Sequence, residues 1–164
     1  MKRSMLIKAV GVMCAAFAAL AGCASQESAA PKQQSENRQY MTQVNQTMED
    51  LQSRLDGFTD AVSRGDLVGM RTQADNAYKA LDELGKLNVP DDLKDIQQEY
   101  VDGTNKLKDA LNAYIELYTE IDSATEAQPF DYSTYDQRIA DIKSQYDEGI
   151  GKLQSGDNKA SEKN

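Results

Sequence analysis

Tyrosine is the residue type in this chain that is best suited to ligand chemistry. Five tyrosines fall on helical spacings in the C-terminal half of the sequence, and they are Tyr100, Tyr114, Tyr118, Tyr135 and Tyr146. A phenol ring stacks on sugars, peptides and aromatic ligands, and its hydroxyl adds a hydrogen bond, so these residues are candidates for lining a groove between helices. The alternative is that each ring packs between helices with its hydroxyl at the wet edge. That alternative is favoured because most of these positions belong to apolar stripes.

Adjacent acidic residues are a second candidate, because paired carboxylates bind divalent cations and act as acid and base. The pairs are Glu49-Asp50, Asp82-Glu83, Asp91-Asp92 and Asp147-Glu148. Neighbouring side chains on a helix point about 100° apart, so one pair cannot grip an ion without help from another helix. The chain also has no calcium-loop spacing of alternating acids followed by glycine. We therefore expect a solvated acidic face and no metal site.

Much catalytic chemistry is excluded by the residues that the chain lacks. Histidine is absent, and the two cysteines are Cys14 and Cys23. Without histidine there is no usual general base, zinc ligand or haem ligand. Met41, Met48 and Met70 have no histidine, and no cysteine within the predicted helical domain, to complete a soft-metal site, and the serines lack a histidine partner. The sequence predicts a protein that is not an enzyme and has no cofactor.

The N-terminus carries the most specific pattern in the chain. Lys2, Arg3 and Lys8 precede an apolar run over residues 9–21, which ends in Leu20-Ala21-Gly22-Cys23. A basic start, an apolar core and a small-residue end are the order of an export signal. The run is also shorter than the roughly 20 residues of a membrane-spanning helix. Together with Cys23, this pattern resembles the lipobox of bacterial lipoproteins.

That resemblance implies that the Cys23 thiol receives a diacylglyceryl group and that cleavage follows Gly22. Residues 1–22 would then be a removed signal peptide, and the membrane would be a partner through the lipid. The mature protein would lie at the extracytoplasmic face of the cell membrane, or at the outer membrane if the host has one. The alternatives are an ordinary signal peptide with a cysteine near its cleavage site, or an uncleaved anchor.

The mature chain is strongly acidic. Loss of residues 1–22 removes three cations and no acids, so the formal charge changes from −9 to −12. Such a chain is repelled by nucleic acid and by anionic lipid, so we expect no nucleic-acid partner and membrane attraction from acyl chains alone. Residues 23–37 are small and polar without apolar periodicity, which predicts a lipidated N-terminus and a flexible linker.

Apolar residues then recur at spacings of three and four in four segments, which predicts helices over residues 38–64, 67–87, 92–126 and 133–153. Gly65 ends the first helix, Asp66 caps the second, and Ser133 with Asp136 forms a capping box for the fourth. Gly103 costs the third helix about 1 kcal/mol relative to alanine. Glycines 149 and 151 are expected to fray the fourth helix, followed by a disordered polar tail over residues 155–164.

These segments predict an all-α, antiparallel up-down four-helix bundle over residues 38–154. The alternative fold is a longer coiled-coil hairpin that completes its core by dimerising. In composition and periodicity the mature domain resembles small helical envelope lipoproteins of unknown function. Two functions remain open. One is a non-catalytic module of the cell envelope that either binds an envelope protein or cell-wall partner or has a structural role. The other is a small-ligand receptor with a tyrosine-lined interhelical pocket.

Overall fold

Four long helices form the part of the chain that the computed structural model describes, residues 31–163. They are α1 (Pro31–Arg64), α2 (Leu67–Lys86), α3 (Lys94–Ser123) and α4 (Tyr135–Glu162), with single 3-10 turns at Asp91–Leu93 and Tyr132–Thr134. Each helix packs on the next, α1 on α2, α2 on α3 and α3 on α4. The predicted all-α bundle with up-down helix order is confirmed.

The alternating helix directions give the bundle two different ends. The base holds the start of α1, the connection at residues 87–93 and the end of α4. Two contacts define it: Asn37 Nδ2 donates to Asp92 Oδ2 at 2.9 Å, and Lys163 Nζ donates to Asp95 Oδ1 at 2.6 Å. The tip holds the connections at residues 65–66 and 124–134. With 34 residues, α1 is about 50 Å long, which is the distance between base and tip.

The core is built from the apolar stripes that the spacing predicts. All seven stripe residues of α1 are buried: Tyr40, Val44, Met48, Leu51, Leu55, Phe58 and Val62. On α3 the buried stripe runs from Ile96 to Leu117, and Leu107 at its middle has no exposed surface. Burial of each large apolar side chain contributes roughly 1.5–3 kcal/mol, so the four stripes supply the main stabilisation.

The connection between α1 and α2 follows from two residues. Gly65 has a φ of 66°, a left-handed conformation that other residues adopt at a cost, and its N–H donates to the Val62 carbonyl at 3.0 Å. The Asp66 carboxylate then accepts from the Gly69 N–H at 2.8 Å and caps α2, as predicted. This two-residue connection places α1 and α2 side by side in opposite directions.

The first helix begins earlier than its apolar stripe indicates. Residues 31–37 are helical, whereas their composition predicts a linker. The reason is visible at Asn37, which is only 8% exposed because its amide bonds to Asp92 from the connection between α2 and α3. The predicted signal peptide over residues 1–22, Cys23 and residues 24–30 of the predicted linker lie outside the described residues.

The last helix ends later than predicted. It continues to Glu162, so the expected end at residue 153 is wrong, and the segment assigned to a disordered tail is helical through residue 162. Gly149, Leu153, Gly156 and Ala160 are buried at spacings of four, three and four, which makes them one stripe. Three members of that stripe are small, so they let α4 approach α3 closely instead of fraying the helix.

The start of α4 also differs from the prediction. Ser133 does not form a capping box with Asp136; the Asp131 carboxylate accepts from the Ser133 N–H at 2.9 Å and caps the preceding 3-10 turn. Thr134, the residue before α4, makes no side-chain capping bond. The capping position therefore lies two residues earlier than the sequence pattern indicates, because the first turn is a 3-10 turn.

Candidate functional site

Tyr100 lies in the core near the base, on the contact between α3 and α4. It has no exposed surface, and its hydroxyl donates to Asp157 Oδ1 at 2.7 Å. Its ring fills the space above Gly156, where an added Cβ would lie 2.7 Å from Tyr100 Cε1. Both the ring and the hydroxyl are therefore used in packing the end of α4 onto α3.

Tyr114 and Tyr146 lie near each other between α1, α3 and α4. Tyr114 is 4% exposed and packs edge-to-face on Phe58, with ring centroids 5.8 Å apart. Together with Leu55 and Ile142, the two tyrosines help to line an interhelical cavity of about 20 Å³. That volume holds about one water molecule and is far below the 300 Å³ or more of a typical ligand site.

Tyr118 and Tyr135 lie at the tip and are both half-buried. The Tyr118 hydroxyl donates to the Gly65 carbonyl at 3.1 Å and joins α3 to the connection between α1 and α2. Tyr100 and Tyr118 are 18 positions apart on one helix, which separates them by about 27 Å. The structure thus places Tyr114, Tyr118 and Tyr135 in the half of the bundle nearer the tip, and Tyr100 near the base.

Two further tyrosines, which are not among the five candidates from the sequence, join helices through their hydroxyls. Tyr78 on α2 donates to Asn112 Oδ1 on α3 at 2.6 Å, and burial raises the pKa of Tyr78 to about 12. Tyr40 on α1 donates to Gln97 on α3, and the Gln97 amide in turn donates to the Leu84 carbonyl at 3.2 Å. Tyr40, Tyr78, Tyr100 and Tyr118 thus pack between helices with a bonded hydroxyl, whereas the buried hydroxyls of Tyr114 and Tyr135 have no hydrogen-bond partner within the described residues.

Several acidic residues of α3 and α4 are held in ion pairs between the two helices. Glu99 accepts from Lys152 at 3.0 Å and from Lys159 at 2.6 Å, and these bonds lower the pKa of Glu99. Lys106 pairs with Glu148 at 2.8 Å on the same side of the bundle. Across residues 31–163, no three acidic side chains are grouped so that they could hold a metal ion.

Among the acidic residues that the structure describes, Asp157 has the surroundings least favourable to its charge. Burial of the Asp157 carboxyl raises its pKa, although the hydrogen bond from the Tyr100 hydroxyl lowers that pKa in part. A raised folded-state pKa means that the ionised carboxylate destabilises the fold above that pKa, and that this cost disappears as the pH falls through it. At neutral pH the ionised Asp157 side chain therefore lowers the stability of the fold. Its carboxyl group can accept the hydrogen bond from the Tyr100 hydroxyl at any pH.

We expect Asp157→Asn to stabilise the domain at pH 7, because asparagine keeps an oxygen for the Tyr100 hydroxyl and carries no charge. The gain should be less than about 1 kcal/mol, since solvent still reaches part of the carboxylate. Urea melts between pH 4 and pH 8 should show the gain shrinking as the pH falls. Asp109→Asn, at an exposed position of α3, should change little. A variant that is less stable than the parent at pH 7 would show that Asp157 is favourable when ionised.

None of the helices within residues 31–163 combines the length and apolar character needed to cross a bilayer. Comparison with known proteins gives no match to any family model, curated protein or solved structure. The functional assignment therefore rests on the residues of this chain and on the positions they take in the bundle.

Proposed function

We propose that this protein is a membrane-anchored extracytoplasmic lipoprotein, whose helical domain is a non-catalytic binding or structural module of the cell envelope. The observation that carries the proposal is the sequence Leu20-Ala21-Gly22-Cys23, placed directly after a basic start and an apolar run. Two acyl chains suffice for stable membrane retention, and an acidic domain supplies no electrostatic attraction of its own.

The geometry of the bundle is compatible with an anchor at one end. The segment between Cys23 and the start of α1 at Pro31 contains residues 24–30, which span at most about 25 Å when fully extended. The start of α1 belongs to the base, so the base is the end held near the lipid. The tip is then the end most distant from the attachment point.

A binding or structural role is supported by how the polar side chains are used. The tyrosine hydroxyls of residues 40, 78, 100 and 118 bond to other parts of the bundle, and Glu99, Lys106, Glu148 and Lys152 pair with one another. Such groups are already satisfied and stabilise the helix arrangement. The receptor alternative has less support, because the cavity beside Tyr114 and Tyr146 holds about one water molecule.

The test of the proposal is the replacement Cys23→Ser, which removes the thiol that would carry the lipid. We expect the variant to shift from the membrane fraction to the soluble or secreted fraction, because nothing else in an acidic mature chain holds it to a bilayer. Fractionation followed by immunodetection measures the shift. Mass spectrometry of the parent protein should find diacylglyceryl on Cys23.

The matched control is Cys14→Ala, which changes the other cysteine of the chain within the segment that would be removed. Its product should fractionate like the parent. If the Cys23→Ser protein remains wholly with membranes and is not shed, the lipoprotein proposal is wrong.

A further inference from the structure

Within residues 31–163, the large apolar side chains that are exposed to solvent lie at the tip. Tyr132, in the turn before α4, is 49% exposed, and Val68, in the first turn of α2, is 76% exposed. The other large apolar residues of residues 31–163 are mostly packed in or against the core. Single exposed apolar residues are ordinary, but two at one end of an elongated bundle make that end different from the rest of its surface.

The tip is also held in a defined shape. Tyr118 bonds to the Gly65 carbonyl at 3.1 Å, and Arg71 bonds to Thr119 at 3.2 Å, which ties the last turns of α3 to the connection between α1 and α2 and to the start of α2. The Tyr132 ring is supported from behind by Phe130, edge-to-face with centroids 4.9 Å apart. A rigidly supported tyrosine loses little freedom on binding, which is a property of residues that dominate interfaces.

The charges of the tip are unbalanced in favour of acids. Two of its arginines pair with acids, Arg64 with Asp60 and Arg138 with Glu120, the latter at 2.9 Å, and a third, Arg71, donates to the Thr119 hydroxyl. Three exposed carboxylates around the connection between α3 and α4, those of residues 122, 126 and 136, have no lysine or arginine of the described chain within 4.0 Å. The tip therefore presents an exposed aromatic ring, with carboxylates that lack a basic partner in the described chain on both sides of it in the sequence.

We propose that the tip, formed by residues 122–136 with Val68, docks a protein segment that carries lysine or arginine beside an apolar side chain. The basic groups would pair with the carboxylates of Asp122, Glu126 and Asp136, and an arginine would also stack on the Tyr132 ring. Nucleic acid and anionic lipid have the wrong charge for this surface. The inference rests on the proposed function, because an anchor at the base places the tip about 50 Å from the attachment point.

The experiment uses the full chain in intact cells, with a photo-crosslinking amino acid in place of Tyr132. The control position is Asn158, an exposed residue of α4 near the base. We expect an adduct at position 132 that is at least about five times more abundant than any at position 158, as expected for a localised interface. Mass spectrometry should show that the peptide joined to position 132 carries a net positive charge and an apolar residue.

Charge reversal tests whether the adduct depends on the acidic side chains of the tip. Asp122→Lys with Glu126→Lys should reduce the adduct by about tenfold or more, because like charges then face each other across the interface. The matched control is Glu49→Lys with Asp109→Lys, which changes the net charge equally at exposed positions away from the tip. Capture of some protein at position 132 is not sufficient support without this charge dependence.

Three outcomes would overturn the inference: an adduct that the Asp122/Glu126 reversal leaves unchanged, an acidic peptide, lipid or glycan at position 132, or no adduct there above the level at position 158. Circular dichroism of each variant excludes unfolding as the cause of a lost adduct. Failure of the lipoprotein proposal is seen separately, as membrane retention of the Cys23→Ser protein, so the two proposals fail by different measurements.

Discussion

Replacing Gly103 with leucine is expected to destabilise the domain by about 3 kcal/mol, the upper end of the usual cost of overpacking. Gly103 is buried where α3 and α4 come closest. A Cβ at this position would lie 2.9 Å from the Gly149 carbonyl oxygen and 2.9 Å from Leu153 Cδ2. The first of these atoms belongs to the backbone of α4, so relief requires movement of the helix and not of one side chain. Denaturant unfolding of the purified domain measures the loss.

Gly151→Leu is the matched control, because it makes the same change in α4 where an added Cβ would meet no atom within 4 Å. This variant should be more stable than the parent by about 0.5–1 kcal/mol, since leucine is the better helix former. Helix propensity alone predicts that leucine stabilises the domain at both positions. The packing of α3 on α4 instead predicts a loss of stability at Gly103 and a gain at Gly151. A gain at Gly103 would therefore mean that the two helices do not approach as closely as described.

The sequence was sufficient to predict the number of helices, their order and most of the core. Apolar residues at spacings of three and four identify one buried face without knowledge of its partner, because a helix must bury that face somewhere. The second and third helices end within three residues of the predicted positions, Lys86 and Ser123 against residues 87 and 126. Local signals such as Asp66 as a cap succeed because the cap and the N–H that it binds are close in sequence.

The errors occur where a residue's role depends on a distant partner. The sequence predicts that Gly149 frays its helix and that Gly156 lies in a disordered tail, but Leu107 and Tyr100 fill the space beside these two glycines from α3. The same glycine destabilises an isolated helix and permits close packing of two helices, and composition does not distinguish these cases. Asn37 similarly has no apolar signal, and its helix extends because Asp92, 55 positions away, accepts its amide hydrogen bond.

The candidate site was less predictable than the fold for the same reason. Helical periodicity assigns a tyrosine to a face, but it does not state what the hydroxyl binds. The hydroxyl partners of Tyr100 and Tyr118 lie 57 and 53 positions away, at Asp157 and Gly65. At the tip, the spacing indicates Tyr118 and Tyr135 as candidates, whereas Tyr132 and Val68 become conspicuous only when neighbouring residues are known to be covered.

Truncation of Leu107 to alanine is expected to cost roughly 2–5 kcal/mol, the range for removing a large buried side chain without collapse of its surroundings. Leu107 has no exposed surface and lies midway along α3, the helix that packs on both α2 and α4. Its Cγ would be 2.8 Å from a Cβ at Gly149, so the leucine fills the space that this glycine leaves. The cavity lies far from the helix ends, so fraying cannot relieve it.

Lys106→Ala provides the comparison one residue away. The Lys106 side chain is 47% exposed and pairs with Glu148 at 2.8 Å, and an exposed pair contributes only about 0–1 kcal/mol. The two positions are adjacent in sequence and differ in which side of α3 they occupy, so their contrast depends on helical geometry and not on local composition. Denaturant melts that show similar losses at both positions would place the buried face of α3 elsewhere, and with it the contacts that hold α4 against the bundle.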